Sequence, residues 1–269
     1  MTILIGADPE VFVKQNGKVV SGYGLIPGTK DKPFPVKNGA VQVDGMALEF
    51  NIVPATSSKE FISNITSVLS TLKSMVPEHE LVLEAVAKFD RKYLEKQPRE
   101  AVRLGCDPDY NAYTIRRNSP PDSRKLFRTA AGHIHIGWTN DVDVYNPDHI
   151  NNCVSIVRNL DITLGVPSVL FDDQIERRKL YGKAGAFRPK PYGVEYRVLS
   201  NKWLNSAQLI DFVYTTTLKT INNLFNGEDL TNKIKDAEKC INTSNKKIAS
   251  HIVKVLGMEP DYVLQLGRC

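Results

Sequence analysis

The sequence predicts an α+β fold built on a largely antiparallel sheet. Strand-like segments joined by tight-turn dipeptides fill the first half, and the segment after Ser206 reads as helix. No internal repeat, low-complexity tract or interdomain linker interrupts the chain, so residues 1–269 are expected to form a single domain.

The elements follow in order. In "EVFVKQNGKVVSG", Asn16-Gly17 separates two β-branched runs and predicts a hairpin. "GAVQVDGMALEFNIVPA" predicts a second hairpin turning near Asp44-Gly45. Ser57 and Glu60 have capping-box spacing. Phe61, Ile62, Ile65, Val68, Leu69, Leu72, Met75 and Val76 then keep a helical stripe. "HELVLEAVA" reads as a strand. "RLGCDPDYNAYTIRRNSPPDSRKLF", with Pro108, Pro120 and Pro121, reads as a long functional loop. After a histidine-bearing strand, a helix is expected from about Asp148 to Leu164. The loop "QIERRKLYGKAGAFRPKPYG" leads into the strand "VEYRVLS". "SAQLIDFVYTTTLKTINNLF" and "KKIASHIVKVLG" are helical, and the stripe from Ala207 to Phe225 suits the core.

Bulk properties narrow the function. An apolar content of 42% supports a sizeable core. The formal charge of +5 comes without a long basic run, which suits a small anionic ligand and not nucleic acid. Cys106, Cys153, Cys240 and Cys269 form no CxxC pair and are read as reduced thiols. The start "MTILIGADPE" lacks a basic leader, and no apolar run reaches the ~18 residues of a membrane span. The expectation is a cytoplasmic protein with no membrane partner.

The chemistry lies in pairs of residues two apart, which share one face of a strand. His133 and His135 in "GHIHIGW" are flanked by Gly132 and Gly137, glycines that suit a ligand approaching the backbone. Asp8 and Glu10, Glu49 and Asn51, and Glu195 and Arg197 repeat the spacing. Singly, each pair is the ordinary pattern of a sheet wet on one side. As a set they are short carboxylates, imidazole and guanidinium, the groups that hold metal and phosphate. Pro9 within the first pair also argues against an ordinary central strand position. Several carboxylates on adjacent strands need a cation to stay ionised. Mostly oxygen ligands favour Mg²⁺ or Mn²⁺ over Zn²⁺. His79, His149 and His251 are read as surface or capping residues. Arg177, Arg178, Arg188 and Arg197, with Lys179, Lys183 and Lys190 nearby, suggest a clamp for phosphate or a substrate carboxylate. These residues leave open a metal-dependent hydrolase using both histidines, a phosphotransferase, or a non-catalytic binding protein.

In their order and flanks, "GADPE", "DGMALEFNIVP", "GCDPDYNAY", "AGHIHIG" and "FRPKPYGVEYRVLS" resemble the phage-type carboxylate–amine ligases (COOH-NH2 ligase type 2) of the glutamine synthetase/glutamate–cysteine ligase superfamily. The motifs run from about residue 5 to 203, and residues 204–269 carry none. The resemblance implies a curved antiparallel sheet forming an active-site funnel, with ATP entering one end and a carboxylate substrate the other. It implies two or three Mg²⁺ ions and an ATP-dependent ligase that joins a small-molecule or peptide carboxylate to an amine through an acyl phosphate. Metal ligands by this likeness are Asp8, Glu10, Asp44, Glu49, His133 and Glu195, with Asp8 standing where glutamate is common. His135 and Arg197 then face the transferred phosphoryl group. Arg188 and Arg178 hold the substrate carboxylate or developing charge, and Arg177 and Asn51 complete the substrate contacts. A phage origin implies the host cytoplasm.

Overall fold

The computed structural model describes residues 2–102, 109–119, 125–172 and 174–267. Parts of three quoted segments, including Met1, Cys106, Pro108, Pro120 and Pro121, lie outside these residues, as does Cys269. The first half runs β1 (Leu4–Gln15), β2 (Lys18–Val20), β3 (Phe34–Val36), β4 (Gly39–Asp44), β5 (Ala47–Ile52), α1 (Ser58–Met75), β6 (Glu80–Val82), β7 (Val86–Lys88), α2 (Arg91–Glu95) and α3 (Arg99–Val102). Then come β8 (Tyr110–Asn111), β9 (Arg116–Arg117), β10 (Phe127–Thr129), β11 (Gly132–Gly137), α4 (Pro147–Leu160), α5 (Val166–Phe171), α6 (Ile175–Leu180), β12 (Ala186–Lys190) and β13 (Gly193–Tyr196). The chain closes with α7 (Ala207–Phe225), α8 (Ala237–Thr243), α9 (Lys246–Val255) and α10 (Pro260–Leu266).

Eleven strands make one open sheet, in the order β3-β4-β5-β1-β11-β13-β12-β8-β9, with β2 and β6 both joined to the far end of β1. Every strand pair in it is antiparallel, as expected for hairpin-joined strands. Asn16 and Gly17 both adopt positive φ (51° and 76°), the conformation that turns β1 into β2. The ladder between β1 and β11 ends at Pro9, opposite Gly132. Proline is therefore tolerated in a central strand here because it marks where β1 changes partner, having no N–H to continue a ladder. Beyond it β1 pairs with β5, then with β2 and β6.

One face of the sheet is apolar. Ile5, Val11, Leu48, Phe50, Ile134, Ile136, Val194 and Tyr196 are essentially buried. Helices α1 and α4 cover this face, and α7 packs on both. Ser57 caps α1 by accepting from the Glu60 N–H, and the buried side of the helix is Phe61, Asn64, Ile65, Val68 and Leu72. In α7, Leu209, Phe212, Val213, Tyr214 and Ile221 are buried, which places that stripe in the core.

The helix expected over 148–164 is longer. It continues through a π turn (Asp161–Gly165) into α5. Pro167 explains the widened turn, since its ring would collide with a carbonyl one regular turn earlier. Pro147–Phe171 is long and apolar enough to cross a membrane by composition, but 78% of its most apolar window is packed inside the fold. His149, expected at the surface or in a cap, is buried on this helix. Its Nε2 lies 3.0 Å from the Lys190 carbonyl and its ring packs on Trp138. "HELVLEAVA" divides in two, because β6 joins β1 whereas β7 pairs with β10 in a separate two-stranded sheet. This small sheet has its own core of Phe12, Met46, Val82, Phe89 and Ala130.

Candidate active site

The four strands bearing the polar pairs are consecutive in the sheet, in the order β5, β1, β11, β13. Their register aligns the pairs in rows. His135 stands opposite Glu195, which stands opposite Arg188 on β12. Asp8 stands opposite His133, and Glu10 opposite Glu49, which in turn faces Gln42. A side-chain period of two thus puts imidazole, carboxylate and guanidinium groups on the face opposite the helices.

Two cavities open on this face. The smaller, about 220 Å³, is lined by Asp8, Glu10, Asp44, Glu49, His133, Arg188 and Arg197, among others. The larger, about 800 Å³, is lined by Asp8, Glu49, Asn51, His135, Gly137, Trp138 and Tyr192, with apolar Leu4, Ile52 and Pro54. Asp8, Lys30, Gln42 and Glu49 line both, so the cavities meet at the acidic cluster.

Asp8 bridges the histidines. One oxygen lies 3.2 Å from His133 Nδ1 and the other 3.0 Å from His135 Nε2. Burial alone would raise the Asp8 carboxyl, but His135 and His133 outweigh it and hold it well below the usual carboxylate range. The rings differ. Burial, then Arg197, pushes His133 down to about 4, which keeps it neutral. Burial also opposes charge on His135, but Asp8 and Glu195 prevail and raise its pKa. Each ring has a tyrosine beside it: Tyr181 Oη is 3.2 Å from His133 Nε2, and Tyr192 Oη is 2.5 Å from His135 Nδ1.

Glu195 is fully buried and ringed by cations. Arg188 Nη1 and Lys190 Nζ each lie 3.1 Å from Oε2, and Arg197 Nη1 closes on Oε1. Arg197 also reaches Tyr181 and Asp109. The opposite side is acidic. Burial, then Asp44, pushes Glu10 up to about 8 despite a 2.9 Å hydrogen bond donated by the Ala131 N–H. Burial, then Asp8 and Asp44, raises Glu49 well above its ordinary value, although Gln42 Nε2 donates to it at 2.7 Å.

This donor set fits divalent metal. His133 Nδ1 lies 3.2 Å from Asp8 Oδ1 and 3.5 Å from Glu195 Oε1. Neighbouring ligand atoms around Mg²⁺, bonded at ~2.1 Å, stand about 3 Å apart. His133 Nδ1 and Asp8 Oδ1 are buried without a hydrogen-bond partner among the described residues, and a neutral ring is the ligating form. One atom each from Asp8, His135 and Glu195 also come within 4.8 Å of one another. Glu10, Glu49 and Asp44 offer oxygens for a second position.

Arg177 and Arg178 are buried and line neither of these two cavities, although Arg177 packs on the Tyr181 ring behind the smaller one. Arg177 donates from Nη1 to the Val198 carbonyl (2.8 Å) and from Nη2 to the Leu199 carbonyl (2.7 Å). Arg178 donates to Ser168 Oγ at 3.0 Å. Gly132 makes room for Trp203 and the Ser200 backbone, not for a ligand, whereas Gly137 does line the larger cavity. Tyr181, Tyr192, Gln42 and Lys30 line the cavities without having been assigned from sequence, which placed Lys190 only near the arginine clamp. Lys190 carried a signal, since it follows Arg188 at strand spacing. The tyrosines lie between regular elements and carried none.

Residues 127–249 match the family model described as Phage phiEco32-like COOH.NH2 ligase-type 2. That segment contains the histidine strand, Arg188 and the Glu195/Arg197 pair, so the likeness to carboxylate–amine ligases is borne out over this half of the site, and the enzyme class it indicates is ligase. No curated protein matches the chain.

Proposed function

We propose that the chain is an ATP-dependent carboxylate–amine ligase that activates a carboxylate as its acyl phosphate and passes the acyl group to an amine. One observation carries this reading beyond the family match. Two cavities of unequal size meet at a cluster that carries carboxyl groups on one flank and cations on the other. A nucleotide suits the larger cavity, with its Trp138 and Tyr192 walls. The acid suits the smaller one, beside Arg188 and Arg197. Their reacting atoms then meet at Asp8 and Glu49.

A carboxylate alone is a poor acyl donor, because oxide would have to leave. Its oxygen attacks the γ-phosphorus, ADP departs, the amine nitrogen attacks the acyl carbon, and phosphate leaves as the amine gives up a proton. Asp8, His133 and Glu195, with Glu10, Glu49 and Asp44, would hold Mg²⁺, which supplies charge neutralisation of the phosphates. The protein's own groups do the rest. His135, whose pKa Asp8 raises against burial and whose ring Tyr192 steadies, donates to a phosphate oxygen. Arg197 and Arg188 stabilise charge on the transferring phosphoryl group and orient the acid. Such a reaction belongs where ATP is available, in the cytoplasm.

The test is ADP release that requires both Mg²⁺ and a carboxylate, with hydroxylamine as a general amine that traps the acyl group as a hydroxamate. His133→Ala should weaken Mg²⁺ binding, whereas His135→Ala should spare it and cut turnover. Folded protein that fails to bind Mg-ATP in calorimetry would overturn the reading.

A further inference from the structure

Asp161, the first residue of the π turn between α4 and α5, has no part in the chemistry above. It lies on the apolar side of the sheet and is fully buried. Both of its oxygens are used. Oδ1 accepts from Tyr196 Oη at 2.8 Å and Oδ2 from the Gly185 N–H at 2.7 Å, and the Tyr113 hydroxyl donates to the same carboxylate. Gly165, which closes the turn, leaves room for this socket, since a Cβ there would stand 2.7 Å from Tyr196 Oη. These donors are all neutral, and burial pushes the Asp161 carboxyl up to about 7 against their pull. A buried carboxylate held by neutral donors alone is costly, and apolar side chains of similar volume would pack here at least as stably. Packing alone therefore does not account for Asp161. π turns are frequent at functional sites.

Two of its partners lead to Arg197. Tyr196 precedes Arg197 in the chain, and strand periodicity sends its side chain to the face opposite Glu195 and Arg197. Gly185 precedes Ala186, whose carbonyl accepts the Arg197 N–H at 2.9 Å. Phe187, next along β12, stands opposite Tyr196. One carboxylate thus grips β13 beside Arg197 and the entry to β12 beside the backbone partner of Arg197. We propose that Asp161 is a positioning residue for Arg197, fixing the backbone from which that guanidinium reaches the transferring phosphoryl group. This rests on the ligase reading and adds to it a residue on the far side of the sheet that touches no substrate.

The experiment compares, by calorimetry, the binding of Mg-ADP with that of Mg-ADP plus tetrafluoroaluminate, a planar mimic of the phosphoryl group in transfer. The wild-type protein should bind the mimic more tightly than Mg-ADP alone, because groups aimed at the transferring phosphoryl act on it selectively. Asp161→Asn and Tyr196→Phe should each lose about 10- to 100-fold in affinity for the mimic, the cost of a misplacement of about 1 Å, and keep Mg-ADP affinity within about threefold. Arg197→Lys has no planar fork left to aim. In that background neither substitution should weaken the mimic further, whereas its cost in urea unfolding should persist. A purely structural Asp161 would lower stability and leave the ratio of the two affinities unchanged. That result, equal weakening of both ligands, or a full further loss in the Arg197→Lys background would overturn the assignment. If Asp161→Asn does not fold, Tyr196→Phe provides the same comparison. Wild-type protein that binds Mg-ADP but binds the mimic no more tightly would also overturn it. Wild-type protein that binds neither would overturn the ligase reading and the assignment with it.

Discussion

Replacing Glu10 with glutamine should flatten the pH dependence of stability of the metal-free protein. Glu10 faces Glu49 across the β1–β5 pair, and burial, then Asp44, moves its carboxyl from 4.5 to about 8. Between these values the folded chain keeps a proton that the unfolded chain has released, so raising the pH favours unfolding. The stability tied to the neutral carboxyl is complete below about 4.5 and is lost as the pH passes about 8. At ~1.4 kcal/mol per pKa unit the upper limit is about 5 kcal/mol. Water reaching a partly exposed carboxyl reduces this to about 2–3 kcal/mol. The assay is urea unfolding in EDTA at several values from about pH 5 to about pH 8. Wild-type stability should fall across this window and Glu10→Gln should fall less, Glu49 still contributing in the same direction. Adding Mg²⁺ near pH 8 should restore the wild type more than the variant, because metal binds the deprotonated ligand. A wild-type profile that is flat, or one that the variant reproduces, would refute the reasoning.

Glu195→Gln leaves Arg188, Lys190 and Arg197 crowded around a neutral amide. It should cost about 3 kcal/mol in urea unfolding and abolish hydroxamate formation. Asp161→Asn removes a buried carboxylate that accepts from Tyr196 Oη at 2.8 Å and from the Gly185 N–H at 2.7 Å. A loss of about 1–3 kcal/mol is expected by denaturant titration, and an unchanged midpoint would show these bonds to be dispensable. Gly182→Ala adds a Cβ at φ 73°, against the Arg177 guanidinium. It should lower stability by at least about 1 kcal/mol in calorimetry, and a neutral result would mean that Arg177 can move aside.

The polar pairs were legible because strand periodicity is two, and the residues themselves announced metal and phosphate chemistry. Their adjacency was not legible, since strand order is decided by long-range pairing. Strand β12 was hidden for a local reason. Pro189 and Pro191, with glycines on either side, give "GKAGAFRPKPYG" the composition of a loop, yet the segment pairs with β13 from Phe187 to Lys190. Arg177 looked like part of a clamp because basic residues cluster around it. Its burial and its carbonyl partners emerge only when α6 folds against the strand end. The inequivalence of His133 and His135 was readable in outline, but its origin in Asp8, Arg197 and two tyrosines was not.

The register around Glu195 also limits how the gene can vary in length. Glu195 stands opposite His135 on one side and Arg188 on the other. Adding or deleting a single codon within β11, β12 or β13 would carry every downstream side chain of that strand to the opposite face, putting isoleucine or tyrosine into the cavity and charge into the core. Such changes are excluded across the centre of the sheet. The Asn16-Gly17 turn, whose Gly17 has nothing within 4 Å of where a Cβ would lie, can lengthen without reaching the cluster. Variation in chain length should therefore collect at the hairpin tips and spare the strands between them.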